Sequence, residues 1–326
     1  MAQVKIFPMP SARIFAERAS RSHGLELADI KEERFADGEG RLIPQGRVAG
    51  ESAIVFQSLI STDQRSVNER ICELAFFLHS LREQGAREVS LITPYLAYSR
   101  SDQRLKPPDP LFLQAMAELL EAMGLKRIAS VEVHNPAAYE NAFRCSISAH
   151  LRMSKIFADA LGQLKDATAP IVVLSPDFGG IKRADEFRSV LQEKLARQIS
   201  LAFLSKHRVA GEIVIGEVPP FLQGAEVIIY DDIISTGGTI RHAIAACEKR
   251  SVKAIHVVAT HGLFAQNIGD LLENPLIRQL TVSDTNPMLL TPAWTAVAKL
   301  RVISCFPLID TYLSHVLGGA ERKSAA

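Results

Sequence analysis

Asp231 and Asp232 stand side by side at the end of an apolar run, Val227 to Tyr230, and a hydroxyl- and glycine-rich stretch, Ser235-Thr-Gly-Gly-Thr239, begins three residues later. Carboxylates at the carboxyl end of a buried strand lie where open α/β sheets bind ligands, and two of them can accept hydrogen bonds from the vicinal hydroxyls of a sugar. Ser235, Thr236 and Thr239 offer hydroxyl donors. Gly237 and Gly238 let backbone amides approach an anion at a helix N-terminus, where the dipole favours negative charge. Together these residue types can hold the ribose and the phosphate of a phosphorylated sugar. A plain surface turn explains less of the pattern, because a helix cap uses one carboxylate and has no need of the whole Ser-Thr-Gly-Gly-Thr run.

Such a grip needs a sheet behind it, and the chain provides the pattern for one. Short β-branched runs alternate with helical periodicity, which predicts parallel sheets flanked by helices. The runs are Val4–Phe7, Ala53–Gln57, Glu88–Thr93, Ile128–Val133, Ile171–Leu174, Leu201–Leu204, Glu226–Tyr230, Ala254–Ala259 and Arg301–Ser304. Between them, Ile71, Leu74, Leu78 and Leu81 recur at helical spacing, which predicts a helix over 67–81, and a second helix over 111–123 is closed by Gly124. No sequence repeat is visible. The 326 residues, 47% of them apolar, suffice for two buried cores. A boundary between Ile147 and Ser154 divides the chain into domains of residues 1–150 and 151–326.

Composition excludes several function classes. Lysine and arginine number 37 against 36 aspartates and glutamates, so no global field argues for nucleic acid or an anionic membrane surface. Cys72, Cys145, Cys247 and Cys305 fit no Cys-x-x-Cys spacing, so four reduced, buried thiols are expected, with no disulfide framework and no zinc site. Met1 to Ser11 lack a signal-type apolar core, and no run reaches membrane-spanning length. The expectation is a soluble, cytoplasmic protein.

The stretch around Asp231 resembles the 5-phosphoribosyl 1-diphosphate (PRPP) motif shared by type I phosphoribosyltransferases and ribose-phosphate pyrophosphokinases. Four further segments choose between these, because they resemble the pyrophosphokinase family in order and spacing. Phe35-Ala-Asp-Gly-Glu39 is similar to its adenine-recognition loop and Pro94 to Arg104 to its nucleotide-phosphate segment. Ser175-Pro-Asp-Phe-Gly-Gly-Ile-Lys-Arg-Ala184 and Leu201 to Arg208 are similar to its second-domain signatures. The resemblance implies two α/β domains of type I phosphoribosyltransferase fold with the active site between them. It also implies transfer of the β,γ-diphosphoryl group of ATP to the anomeric hydroxyl of ribose 5-phosphate, giving PRPP and AMP. A phosphoribosyltransferase and a non-catalytic paralogue that regulates a true synthase are the other readings. The Phe35 loop disfavours the first, and retention of transition-state cations disfavours the second.

By the same resemblance Phe35 stacks on adenine, with Asp37 and Glu39 accepting from its amino group or else capping a turn at Gly38. Arg100 clamps ATP phosphates beside Asp102. His134 and Asp177 stand nearest a Mg²⁺ ion, which keeps several waters and takes few protein ligands. Lys206 and Arg208, on a loop free to close, meet the transferring group as the catalytic cations. Taken alone, His134 before Asn135-Pro136 reads equally as a capped loop residue, and Lys206 and Arg208 as solvated charges. His261 reads as structural. Because the family's adenine loop reaches into a neighbouring subunit, a homo-oligomer is implied.

The chain departs from the best-known subgroup at several places. Ser235 replaces an aspartate, Ser101 a glutamine, Asn135 to Glu140 an Ala-x-Gln-Ile-Gln run, and the Val48-Ala49-Gly50 turn lacks an arginine. The last two help form that subgroup's phosphate-activator site, so weak or absent activation by inorganic phosphate is expected.

Overall fold

The computed structural model describes residues 3–104, 106–166, 168–204, 206–209, 212–215 and 218–324; for residues 165–166, 206–209, 212–215 and 319–324 only the backbone is described. Contacts divide the chain into two units, one ending at Leu151 and rejoined from Cys305 onward, the other running Arg152–Ser304. The expected second domain of residues 151–326 therefore differs in its tail. The terminal helix buries Ile309 and Leu313, and Arg18 of the first unit lies 4.1 Å from the ring centre of its Phe306.

The first unit runs β1 (Val4–Pro8), α1 (Arg13–His23), β2 (Glu26–Leu27), β3 (Ile30–Arg34), β4 (Gly40–Pro44), β5 (Ser52–Phe56) and α2 (Val67–Glu83). It continues with β6 (Glu88–Thr93), α3 (Phe112–Ala122), β7 (Leu125–Val131), α4 (Pro136–Ala142) and β8 (Ile147–Leu151). Six of the strands form one parallel sheet in the order β2-β1-β5-β6-β7-β8, while β3 and β4 pair antiparallel outside it. The helix begins at Val67 because Ser66 and Glu69 close a capping box: the Glu69 amide donates to Ser66 Oγ at 3.2 Å and the Ser66 amide to Glu69 Oε2 at 2.6 Å. Leu74, Leu78 and Leu81 of its predicted stripe are buried.

The second unit runs α5 (Ser154–Ala160), β9 (Ile171–Ser175), α6 (Ile181–Leu195), β10 (Ser200–Phe203), β11 (Lys206–Val209), β12 (Glu212–Ile215), β13 (Glu226–Ile234) and α7 (Gly238–Glu248). After these come β14 (Ala254–Gly262), α8 (Gly269–Glu273), β15 (Ile277–Ser283), α9 (Pro292–Thr295) and β16 (Leu300–Ile303); α10 (Phe306–Ser324) belongs with the first unit. Its parallel sheet has the order β10-β9-β13-β14-β15-β16, again with an antiparallel pair, β11 and β12, outside it. Counted along the chain, both sheets read second, first, third, fourth, fifth, sixth, with the extra pair inserted between the second and third strands. The fold is thus duplicated where no sequence repeat is visible. In both sheets the strand order reverses beside the first strand, the place where doubly wound sheets bind ligands.

The second core forms because its central strands are apolar on both faces, as strands of a parallel sheet with helices on each side must be. Ile171 to Leu174, Val227 to Tyr230 and Val257 to Ala259 are all buried, and α7 covers them with Ile240, Ala243, Ile244 and Cys247. Burial pushes the Cys247 thiol up to about 12. Cys305 is buried as well, but Cys72 and Cys145 are exposed, which corrects the expectation of four buried thiols. Cys72 lies on the outer face of α2, and Cys145 lies in the connection before β8. Among the described residues no helix is long and apolar enough to cross a membrane.

Candidate functional site

In the second unit β13 carries its apolar run past Tyr230 and through both carboxylates to Ile234. The Tyr230 ring is buried and stacks on Phe187 of α6, with ring centres 4.1 Å apart, which anchors the strand just before the acidic pair. Asp231 and Asp232 are 8% and 3% exposed. Arg183 of α6 faces both, its Nη1 donating to Asp232 Oδ1 at 3.0 Å and to Asp231 Oδ1 at 3.4 Å. The Asp232 amide donates to Asp231 Oδ1 at 2.9 Å. Burial above all, and then the neighbouring Asp232 carboxylate, hold Asp231 well above the ordinary carboxylate range; Arg183 pulls the other way and Asp177 adds to the rise. Arg183 thus faces the acidic pair while Asp177 stands close enough to raise Asp231 further, and carboxylates gathered in this way suit hydroxyl donors and a hydrated hard cation.

Asp177 follows β9, the strand next to β13. Its Oδ1 accepts from the Gly180 amide at 3.1 Å, and Ser175 Oγ donates to its carbonyl at 2.7 Å. A Cβ on Gly180 would lie 2.8 Å from Ser175 Oγ, so glycine is what allows this turn to close. Beyond β13, Ser235 to Thr239 turn into α7, with Gly237 at φ 81°, in the left-handed region that favours glycine. The acidic pair, Asp177 and the hydroxyl-glycine turn therefore converge at the carboxyl ends of β9 and β13, beside the reversal of strand order. Among the described residues no three His, Cys, Asp or Glu side chains form a metal cage. A site of one or two carboxylates completed by water and phosphate oxygens is the kind Mg²⁺ favours, and these residues fit it.

The side chains of Lys206 and Arg208 lie outside the described residues. Their backbone forms β11, in register with β12 through Lys206↔Ile215 and Arg208↔Ile213. This corrects the expectation of a loop, for Val209 and the β-branched run Ile213-Val-Ile215 favour a paired ribbon.

In the first unit the candidates form two groups. Phe35, Asp37 and Glu39 share the tip of the β3–β4 hairpin, where the Phe35 amide donates to the Glu39 carbonyl at 2.8 Å. Asp37 Oδ1 accepts from the Glu39 amide at 3.1 Å, so Asp37 shapes the turn in which Gly38 has φ 95°. Phe35 is 48% exposed, with the Arg41 guanidinium 5.5 Å from its ring centre. The hairpin base is tied to α2 through Arg65, which contacts Glu32 of β3 and reaches Glu73 of α2 at 3.0 Å.

Arg100 and Asp102 follow β6, and His134 follows β7. Arg100 is exposed and His134 half-buried. Asn135 links the two segments: its Nδ2 donates to Asp102 Oδ2 at 2.8 Å while its Oδ1 accepts from the Ala138 amide at 3.2 Å, capping α4. His261 is buried, its Nδ1 2.9 Å from Thr285 Oγ1.

Comparison with known proteins follows the same two halves. The N-terminal domain of ribose phosphate pyrophosphokinase matches residues 4–124, and the phosphoribosyl transferase domain matches residues 145–275. The ribose-phosphate pyrophosphokinase of Aquifex aeolicus is 30% identical, covering 99% of this chain and 99% of that protein. That of Fusobacterium nucleatum is 29% identical over 92% of this chain and 91% of its own. The crystal structure of phosphoribosylpyrophosphate synthetase from Mycobacterium smegmatis covers 97% of this chain and 99% of that one with a TM-score of 0.85, and at 24% identity it shows the shared, phosphoribosyltransferase-like fold. With both halves matched in order and a relative similar along nearly its whole length, the chain belongs to the ribose-phosphate pyrophosphokinase family.

Proposed function

We propose that this chain is an ATP-dependent ribose-phosphate diphosphokinase that produces PRPP and AMP. The observation that carries the reading is the buried Asp231–Asp232 pair facing Arg183 at the end of β13, with the Ser235–Thr239 turn directly after it, in a chain of this family. Asp231 and Asp232 accept the ribose 2- and 3-hydroxyls, and Ser235, Thr236, Gly237, Gly238 and Thr239 hold the 5-phosphate. Phe35 stacks on the adenine of ATP, while Glu39 meets the base edge. Arg100, Asp102 and His134 belong to the triphosphate side.

The anomeric oxygen attacks the β-phosphorus in line, the bond from that phosphorus to the α,β-bridging oxygen breaks, AMP departs with that oxygen, and the hydroxyl proton is released. Lys206 and Arg208 supply positive charge where it develops on the transferring oxygens. His134 and Asp177 are the residues that would stand nearest Mg²⁺, directly or through water; when bound, the ion neutralises phosphate charge. The exposed Phe35 hairpin supports a homo-oligomer in which the hairpin completes a neighbour's nucleotide site. An active, strictly monomeric preparation would remove that part of the reading. The protein is also read as cytoplasmic, with weak or absent activation by inorganic phosphate.

The test is to incubate the protein with ATP, Mg²⁺ and ribose 5-phosphate and to resolve the products. AMP and PRPP in equal amounts are expected. ADP would mark an ordinary kinase, and no turnover would mark a binding protein.

A further inference from the structure

Arg241, the fourth residue of α7, has no role in the chemistry described above, yet its guanidinium is heavily engaged. Nε and Nη2 hold the Asp270 carboxylate at 2.5 and 2.7 Å, Nη2 also donates to the Asn267 carbonyl at 2.9 Å, and Nη1 donates to the Thr236 carbonyl at 2.6 Å. A guanidinium has five N–H donors, and four of these are directed at the protein itself. Its charge is matched by Asp270. Arg241 is therefore built as a brace rather than as a hand held out to an anion.

The braced atom is informative. Thr236 lies in the middle of the hydroxyl-glycine turn, and the peptide joining it to Gly237 is trans, since Pro107–Pro108 is the one cis bond among the described residues. In a trans peptide the N–H points opposite to the C=O, so fixing the Thr236 carbonyl on Arg241 aims the Gly237 amide away from the brace. Gly237 itself makes room for it. A Cβ at that position would lie 2.9 Å from Arg241 Nη1 and 3.2 Å from Leu271, and its φ of 81° is one that side chains rarely adopt. Glycine at 237 thus leaves the space that the Arg241 guanidinium occupies. Asp270 belongs to α8 and Asn267 to the segment before it, so the turn is fastened to a second element across the sheet end.

We propose that Arg241 is a positioning residue for the phosphate-holding turn, keeping the Gly237 amide aimed at the 5-phosphate of ribose 5-phosphate. This rests on the function proposed above. A turn left free must be ordered when the ligand arrives, and that ordering weakens binding, whereas a braced turn is ordered beforehand. Lysine replaces the brace only in part, having no planar fork to span a carboxylate and a carbonyl together.

The experiment measures ribose 5-phosphate binding by calorimetry and steady-state kinetics in Arg241→Met, Arg241→Lys, Asp270→Asn and the Arg241→Met/Asp270→Asn double variant. Arg241→Met is expected to raise both Kd and KM for ribose 5-phosphate by about tenfold, the equivalent of losing one charge-assisted hydrogen bond, with kcat and KM for ATP changed by less than about twofold. Arg241→Lys should rescue only part of this, Asp270→Asn should move the same constants in the same direction, and the double variant should be no worse than Arg241→Met alone. Asp270 is largely exposed, so its variant tests the brace even if Arg241→Met does not fold. Unchanged ribose 5-phosphate affinity in Arg241→Met and in Asp270→Asn would overturn the brace while leaving the reaction standing. Wild type that binds ribose 5-phosphate without producing AMP would overturn the reaction and leave the brace to be judged by affinity. Wild type that does not bind it would overturn both.

Discussion

The two units share a strand order but not the chemistry at its reversal point. Counting from the first paired residues of each, Val4↔Ser52 and Ile171↔Glu226, Gln57 and Ser58 occupy in the first unit the places that Asp231 and Asp232 occupy in the second. Both Gln57 and Ser58 are fully buried. Ser11 Oγ lies 2.6 Å from Gln57 Oε1 and 2.6 Å from the Ser58 carbonyl, and it accepts from the Ser58 amide at 3.2 Å. The first unit closes this end of its sheet with neutral hydrogen bonds, whereas the second buries two adjacent carboxyl groups there facing Arg183. The first unit's polar candidates stand instead after the next two strands, at Arg100, Asp102 and His134. One architecture thus carries different residues at its strand ends, and function has to be argued from those residues rather than from the fold.

The largest effect that would sharpen the contrast comes from the cation placed in the second unit's inserted ribbon. Lys206→Ala should lower kcat by orders of magnitude while ATP binding measured by calorimetry survives, because a group engaged mainly in the transition state contributes little to the ground state. Equal turnover would remove Lys206 from the mechanism. The matching insertion in the first unit should behave differently. Phe35→Ala should raise KM for ATP by about tenfold, as loss of a base-stacking ring does, and leave the KM for ribose 5-phosphate unaffected. A shift in the sugar constant alone would assign the hairpin to the wrong ligand.

The smallest effect is on stability and carries a definite sign. Asp231 is held above its unfolded pKa by burial and by Asp232. A raised carboxyl contributes stability that is fully present below the unfolded value and is lost as pH rises through the folded one. Asp231→Asn should therefore be more stable than wild type at pH 7, by about 1–2 kcal/mol, with the gap closing as pH falls toward the ordinary carboxylate range. Denaturant melts across pH would show this, and a variant destabilised at neutral pH would mean that the pair is not strained.

Which parts were legible in the sequence follows from where the stabilising contacts lie. Strands buried on both faces announce themselves as apolar runs, so the run 88–93 coincides with β6 and the run 171–174 stops one residue before the end of β9. Strand β3, Ile-Lys-Glu-Glu-Arg, was not visible because it is held by ion pairs and by the packing of β4 rather than by two buried faces. Strand β8 is only partly buried, and β15, though buried over Leu280 to Ser283, interleaves its apolar residues with Arg278, Gln279, Thr281 and Ser283, so neither shows as an apolar run. The apolar run ends at Tyr230 while β13 continues four residues further, because charges ordinarily end a strand and here the fold buries two of them. In the site, Asp231, Asp232 and the glycine turn were readable from local spacing. Arg183 and Arg241 are not: their carboxylate partners Asp231 and Asp270 lie 48 and 29 residues away and are brought near only by the fold. Arg183 did lie inside a segment already singled out, six residues after Asp177 on the first turn of α6. Its closeness to that motif was the available signal.

The difference between the two reversal points is tested most directly by titrating ribose 5-phosphate into wild type, an Asp231→Asn/Asp232→Asn variant and a Gln57→Ala/Ser58→Ala variant in the presence of Mg²⁺. Binding should be abolished by the first pair of changes, while any folded form of the second binds as wild type does. Ribose 5-phosphate affinity that survives loss of both carboxylates, or that falls with Gln57 and Ser58 instead, would contradict the account.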